Sequence, residues 1–130
     1  MSAIDRLFQL RMTPPFDRLR NDELAVIADI SREVSWRPGE TIATPEEELR
    51  HLLIIREGAV MMAGRRLPPV IGAATLLFEQ VLPAPLLADP ARGASGLTIA
   101  RGHFFTIVNE CPGLLVAFFD TAGDLVSTQP

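Results

Sequence analysis

Few residues in this sequence are suited to metal binding or catalysis, and they lie far apart along the chain. The only histidines are His51 and His103, whereas a protein-bound metal ion usually needs three or four converging ligands. Cys111, the single cysteine, could act as a nucleophile with His103 as its base. Eight residues of predicted helix separate these two by about 12 Å, which is too far for a hydrogen bond. The spacing therefore predicts neither a metal centre nor a nucleophilic active site.

Two short charged runs are the remaining candidates for a site. Glu46, Glu47 and Glu48 are consecutive, and because neighbouring side chains in a loop point in different directions, we expect a solvated face there. Arg65 and Arg66 form the most basic spot and could meet an anion, although the same pair fits an ordinary hairpin turn in water. Neither run predicts catalysis, so we expect no enzymatic activity.

The composition predicts one folded domain over residues 1–130. Hydrophobic residues make up 48% of the chain and charged residues 22%, which is enough apolar material for a single core. The net charge of -4 disfavours a nucleic-acid partner, because such proteins concentrate positive charge. The sequence has one cysteine, no basic and apolar leader, and no apolar run long enough to span a bilayer. We expect a cytoplasmic protein with no disulfide, no cofactor and no membrane contact.

The elements that must position any site begin with two N-terminal helices within residues 1–32. Apolar residues recur partly at helical spacing in the first segment until Pro14 and Pro15 stop it. The second segment has Asn21 as its predicted N-cap and acidic residues in its first turn. Its apolar stripe consists of Leu24, Ile27, Ala28 and Ile30.

Residues 33–101 show the alternation and the glycine turns of short strands. Residues 34–42 predict a strand, a Pro-Gly turn and a second strand. The apolar run 49–62, interrupted at Gly58, predicts a β-hairpin. Prolines restrict residues 82–88 to an irregular or edge strand, and a last strand is expected near residues 97–100.

Helical spacing returns in residues 102–126, which predict two C-terminal helices divided at Pro112. The complete pattern is therefore mainly β, with a strand region between helical ends. The second of these helices begins near Gly113 and carries two apolar rows. Leu114 and Phe118 lie in one row, and Leu115 and Phe119 lie in the other.

Three stretches resemble the cyclic-nucleotide-binding domain family. The first, at residues 19–42, resembles the family's first helix, strand, Pro-Gly turn and strand, and reads LRNDELAVIADISREVSWRPGETI. The second, at 52–60, resembles its central strand and glycine turn, and reads LLIIREGAV. The third, at 97–114, resembles its last strand and following helix, and reads LTIARGHFFTIVNECPGL. The resemblance implies a β-roll or jelly-roll barrel flanked by N-terminal and C-terminal helices.

In that family the ligand is held by a phosphate-binding cassette. A Gly-Glu pair opens a short helix and an Arg follows roughly ten residues later. Backbone amides and the Arg hold the cyclic phosphate, while the Glu accepts a hydrogen bond from the ribose. Here Gly72 is retained, but Ala73 stands at the Glu position and Ala84 or Pro85 stands at the Arg position. The resemblance thus implies a cassette without its two charged contacts.

The resemblance assigns to this degenerate cassette Gly72, Ala73, Ala74, Thr75, Ala84, Pro85 and Arg92. Arg92 is included because it could replace the missing Arg if the proline-rich loop folds back. The favoured alternative is a short helix that packs Leu76, Leu77 and Phe78 against the barrel. We also expect that introducing Glu at position 73 and Arg at position 84 restores cyclic-nucleotide binding.

The resemblance implies a non-catalytic regulatory or protein-interaction module that cannot bind cyclic AMP or cyclic GMP. The alternative is a sensor for a small ligand, cyclic nucleotide or other, within a signalling or transcription-regulatory protein. The family often joins this domain to a DNA-reading helix-turn-helix. We expect no such segment in this chain and therefore no nucleic-acid contact by it.

The last predicted helix gives a test of self-association, which the resembling family often achieves through this helix. One apolar row can cover the barrel and leave the other row for a partner. We expect light scattering to detect an oligomer at high concentration that Phe118→Ala or Phe119→Ala weakens. A monomer at high concentration, unchanged by either substitution, would contradict the prediction.

Overall fold

Two antiparallel four-stranded sheets, with helices before and after the strand region, form the described part of the chain. The computed structural model describes residues 2–45, 49–78, 80–111 and 113–114. Its helices are α1 (Ala3–Arg11), a 3₁₀ turn (Phe16–Arg18), α2 (Asn21–Ile30), α3 (Ala73–Leu77) and α4 (Arg101–Glu110). Its strands are β1 (Arg32–Trp36), β2 (Thr41–Ala43), β3 (His51–Gly58), β4 (Val60–Met62), β5 (Arg65–Arg66), β6 (Val70–Ile71), β7 (Leu86–Ala88) and β8 (Ala94–Ala100). The predicted class, mainly β with flanking helices, is confirmed.

The strands of the two sheets alternate along most of the chain. The first sheet has the order β1-β8-β3-β6 and the second has the order β2-β7-β4-β5. All of these pairs are antiparallel. Because the chain passes repeatedly from one sheet to the other, it winds into a roll with the sheets face to face.

The outer face of the first sheet packs against the helices. Successive residues of a strand point to opposite faces, so Leu52 and Ile54 of β3 share this outer face. They are fully buried in what we call the helical cluster. Its buried members are Leu10, Phe16, Leu19, Leu24, Ile27, Ala28, Leu52, Ile54, Val70, Ala73, Leu76, Leu97, Ile99, Phe104, Ile107, Val108 and Leu114.

The inner face of the first sheet packs against the second sheet. Leu53 of β3 lies on this face, opposite Thr98 of β8. The residues between the sheets form what we call the inner cluster, whose buried members are Leu49, Leu53, Val60, Ile71, Leu82, Leu86, Ala88 and Ala94. Burial on both faces explains why the sequence of β3 is continuously apolar rather than alternating.

The predicted hairpin over residues 49–62 is wrong. β3 pairs with β8 and β6, while β4 pairs with β7 and β5, so the turn at Gly58 carries the chain from one sheet to the other. The physical reason is the two-sided burial of β3. An isolated hairpin with β4 would have left one apolar face and one edge of β3 in water.

Residues 82–88 are predicted to be irregular or an edge strand. Residues 82–85 are irregular, but the edge strand is wrong, because β7 lies between β2 and β4 in the interior of its sheet. Pro83 and Pro85 come before the first residue of this strand, so neither removes an N–H group from its ladder.

The predicted cap of α2 is displaced by one residue. Asn21 is the first helical residue, and the backbone N–H of Arg20 donates to Glu23 Oε1 at 3.0 Å. The side-chain oxygen of Asn21 instead accepts a hydrogen bond from the Arg11 guanidinium of α1. In the described ranges, no helix is long and apolar enough to cross a membrane.

Gly96 of β8 gives a stability test. A Cβ atom at this position would collide with the backbone carbonyl oxygen of Ile54 and lie 2.9 Å from Ile55 Cα. Gly102 in the first turn of α4 has nothing within 4 Å of its Cβ position. We expect Gly96→Ala to lower the free energy of unfolding by about 2 kcal/mol or more. The matched Gly102→Ala should raise it by up to about 1 kcal/mol.

Urea denaturation of the two variants and the parent measures both effects. Equal stabilities of the two variants would contradict the close approach of β3 and β8 at Gly96.

Candidate functional site at the Gly72 turn

Gly72 links β6 to α3 in a backbone conformation that favours glycine. Its φ angle is +102°, a region that other residues rarely adopt. A Cβ atom here would lie 2.6 Å from Leu49 Cδ2 and 3.4 Å from the carbonyl oxygen of His51. The Leu49 side chain and the start of β3 therefore pack directly against the turn.

The short helix after Gly72 is packed into the core on one side. The N–H of Leu76 donates to the carbonyl oxygen of Gly72 at 2.9 Å, which starts α3. Ala73 has an exposed fraction of 0% and belongs to the helical cluster together with Leu76. Thr75 is half-buried, and its carbonyl oxygen accepts from the N–H of Gln80 at 3.1 Å. The packing of Leu76 and the partial burial of Leu77 agree with the predicted packed helix, whereas Phe78, with an exposed fraction of 43%, is not packed as predicted.

The rest of the predicted cassette brings no basic group to the turn. Ala74 lies in α3, and Ala84 is half-buried and Pro85 exposed in the segment before β7. On either side of these two residues, Leu82 and Leu86 are buried in the inner cluster. The segment thus packs two leucine side chains between the two sheets.

Arg92 lies in the turn between β7 and β8, far from Gly72. The Asp89 carboxylate accepts from the backbone N–H groups of Ala91 at 2.7 Å and Arg92 at 3.0 Å. Hydrogen bonds from those backbone groups lower the pKa of Asp89 and fix this turn. The turn leads into β8 at Ala94. The other end of β8, Ala100, pairs with His51 near the Gly72 turn and lies six residues, or about 20 Å, further along the strand. The structure does not bring Arg92 to the cassette.

The predicted restoration of binding by Glu at position 73 is not supported by this packing. A carboxylate at a fully buried position of the helical cluster would be surrounded by apolar side chains. This burial could not be predicted from the sequence, and neither could the role of Leu49, which lies just before β3 close to the Gly72 turn. A single apolar residue before a strand gives no signal of such a contact.

The histidines and the cysteine give no metal site in the part of the chain that the structure describes. His51 and His103 are exposed at the starts of β3 and α4. Within the described ranges, no group of three or more His, Cys, Asp or Glu side chains could hold a metal ion. Burial, together with a hydrogen bond to Glu23, raises the pKa of the Cys111 thiol to about 11, so it is protonated at neutral pH.

Several predicted residues lie outside the described residues. These are Glu46, Glu47 and Glu48 of the acidic run, and Leu115, Phe118 and Phe119 of the predicted oligomer interface. Leu114, the remaining interface candidate, is fully buried in the helical cluster. Leu114 therefore packs in the chain's own core.

Solved structures share this fold. PfPKA-R (141–441) bound to cAMP matches with a TM-score of 0.75 and 15% identity, over 96% of this chain and 46% of that one. The regulatory subunit of a cAMP-independent protein kinase A from Trypanosoma cruzi, bound to guanosine, matches with a TM-score of 0.68 and 21% identity, over 99% and 54%. The sensor domain of the transcriptional regulator DNR from Pseudomonas aeruginosa matches with a TM-score of 0.71 and 11% identity, over 94% of each chain.

The chain thus has a cyclic-nucleotide-binding-like fold, and these structural neighbours are regulatory or sensor domains. It spans about half the length of the two kinase regulatory subunits. No protein-family model and no curated protein sequence matches it.

The burial of Ala73 can be tested with one acidic substitution. We expect Ala73→Glu to lower the free energy of unfolding at pH 7 by at least about 2 kcal/mol, because the apolar surroundings disfavour the charged carboxylate. Burial raises the pKa of such a group above its unfolded value near 4.3. The variant should therefore lose stability, relative to the parent, as the pH rises from about 4 towards 7.

The matched control is Ala25→Glu on the exposed side of α2, which should stay within about 0.5 kcal/mol of the parent at both pH values. Urea denaturation at pH 4 and pH 7 measures both. A fully stable Ala73→Glu protein would show that side chain 73 faces open space.

Proposed function

We propose that this chain is a non-catalytic regulatory or protein-interaction module that does not bind cyclic AMP or cyclic GMP. One observation carries the proposal: no basic residue occurs between Arg66 and Arg92, the stretch that contains every cassette residue except Arg92 itself. Ala73 is buried and Arg92 lies at the other end of the first sheet. Neither charged contact of the resembling cassette has a replacement from these residues.

The two missing contacts would supply a large part of the binding free energy that such a ligand needs. Micromolar binding corresponds to about 8 kcal/mol, and a hydrogen bond to a charged group contributes about 1.5 to 3 kcal/mol. Losing both the Arg and the Glu contacts leaves millimolar affinity or weaker. The net charge of -4 adds a small opposition to an anionic ligand.

A regulatory role is supported by the kind of domain that shares this fold. The neighbours include regulatory subunits of protein kinases and the sensor domain of a transcriptional regulator. We infer that this chain, too, acts through another protein or another part of a longer protein, and not through a reaction of its own. The Cys111 thiol is protonated at neutral pH and is therefore a poor nucleophile, which supports the absence of catalysis. A cytoplasmic location remains a prediction that rests on the single cysteine.

The second candidate is a sensor for an uncharged small ligand. Two observations favour it: the side chains between the two sheets are apolar, and the Trypanosoma cruzi neighbour is bound to guanosine, which carries no phosphate. A neutral nucleoside would lose nothing from the absence of a phosphate-binding Arg. In that case the regulatory output would depend on occupancy of the roll.

Titration calorimetry with cyclic AMP, cyclic GMP and guanosine distinguishes these candidates. We expect no binding of either cyclic nucleotide below about 1 mM, with PfPKA-R (141–441), which binds cAMP, as the positive control. Micromolar binding of a cyclic nucleotide would overturn the proposal. Guanosine binding without cyclic-nucleotide binding would instead establish the second candidate.

A further inference from the structure

Helix α1 carries a row of exposed apolar side chains. Ile4, Phe8 and Met12 have exposed fractions of 65%, 61% and 80%, and their spacing of four residues places them on one face of the helix and its C-cap. Only four other large apolar side chains are exposed in the part of the chain that the structure describes. Single exposed apolar residues are normal, whereas several on one face mark an interaction site. We call these three residues the α1 row.

An apolar groove of about 420 Å³ lies directly beside the α1 row. Phe8 and Met12 form one wall of the groove. The other wall includes Ile55 and Pro69, which are joined by a hydrogen bond of 2.8 Å from the N–H of Ile55 to the carbonyl oxygen of Pro69. The surface therefore consists of an apolar ridge next to an apolar groove. Such a surface is self-complementary, because a two-fold axis roughly parallel to α1 places the ridge of each copy in the groove of the other.

Hydrogen bonds hold α1 in place and so form the groove before any partner binds. The side-chain Nε2 of Gln9 donates to the carbonyl oxygen of Ile54 in β3 at 3.1 Å. At the other end of the helix, the Arg11 guanidinium donates to the carbonyl oxygen of Leu19 at 3.0 Å and to the side-chain oxygen of Asn21. A surface that is already ordered loses little conformational entropy on association.

The charges at the groove are balanced. Among the described residues that line it, Asp5 is the only acid and Arg56 the only base. Hydrogen bonds from Ser2, and then the positive charge of Arg56, lower the pKa of Asp5, so its carboxylate is ionised at neutral pH. A balanced pair selects neither an acidic nor a basic partner. A second copy brings the same acid and the same base, so its approach leaves no excess charge at the interface.

We propose that two copies of this chain associate through the α1 row and the groove beside it. Phe8 and Met12 of each copy enter the groove of the other copy and lie against its Ile55 and Pro69. Asp5 of each copy lies near Arg56 of the second copy at the rim. The apolar contacts supply most of the affinity, because exposed ion pairs contribute little.

This inference goes beyond the proposed function, and it holds whether or not a cyclic nucleotide binds. The surface is also separate from the last predicted helix, whose candidate Leu114 is buried in the helical cluster. A surface of three side chains and one groove is small for a specific interface. We therefore expect a weak dimer with a dissociation constant of about 0.1 to 1 mM.

Sedimentation velocity of the full chain from about 10 μM to 1 mM measures the association. We expect the sedimentation coefficient to rise from the monomer value towards the dimer value, with little change between low and high salt. Phe8→Ser and Met12→Ser should each weaken the dimer by at least about tenfold. The matched control is Val81→Ser, because Val81 is 76% exposed and lies outside α1, and it should leave the affinity unchanged.

A charge substitution tests the balance at the rim. Arg56→Glu places two acids on each copy, so it should weaken the dimer about threefold at low salt and less at high salt. The control is Arg50→Glu, an exposed position before β3 that does not line the groove, and it should have no effect. All of these substitutions are at exposed positions, so we expect every variant to fold.

Cross-linking tests the same arrangement without removing Phe8. In the proposed dimer the two Met12 positions lie at the same level of adjacent helices, so a short bis-maleimide reagent should join Met12→Cys chains into a covalent dimer. Val81→Cys should give no more dimer than the parent. The parent measures the background from Cys111, which is half-buried and has a thiol pKa raised to about 11 by burial.

Three results would overturn the proposal. The first is a monomer at 1 mM with no covalent dimer from Met12→Cys. The second is a dimer that Phe118→Ala dissociates and Phe8→Ser leaves intact, which would assign association to the last predicted helix. The third is growth beyond the dimer, because a two-fold interface closes after two copies. Cyclic nucleotide binding in the calorimetric experiment would contradict the proposed function and leave this dimer unaffected.

Discussion

The packing of β3 on both faces is the constraint on which the rest of the structure depends. Leu52 and Ile54 lie against the helices, and Leu53 lies against the second sheet. A strand of this kind cannot be stable with water on either side, since a fully buried leucine or isoleucine contributes about 1.5 to 3 kcal/mol. The helices and the second sheet are therefore both required, and both pack against this one strand.

This constraint also explains which parts of the fold were predictable from the sequence. The amphipathic stripe of α2 and the apolar run of β3 are local patterns, and both gave elements at the right places. Strand pairing is not local. The turn at Gly58 looks like that of a hairpin because the run on each side is apolar, yet the partners of β3 come from residues 70–71 and 94–100. No pattern within residues 49–62 contains that information.

The candidate site shows the same division between local and long-range information. The resemblance located the turn at Gly72, and a positive φ angle there explains why glycine is retained. The contact with Leu49 and the burial of Ala73 depend on how β3 and the helices pack, so they required the structure. The position of Arg92 followed from the length of β8, which begins at Ala94 and not near Leu97 as the sequence suggested. Three additional residues of strand place this arginine at the far end of the sheet.

Strand β3 contains a β-bulge at Arg56, because Ile55 pairs with Gly96 of β8 and Glu57 pairs with the next residue, Ser95. This bulge has a consequence for how the chain tolerates insertions and deletions. Side chains alternate between two faces, so a single extra residue reverses the phase of everything that follows it in a strand. The bulge supplies that reversal, and it allows Glu57 to face water while Leu53 and Ile55 face the second sheet. Deletion of Arg56 would remove more than a charge. It would point the Glu57 carboxylate between the sheets, so this segment of the gene should accept substitutions far more readily than changes in length.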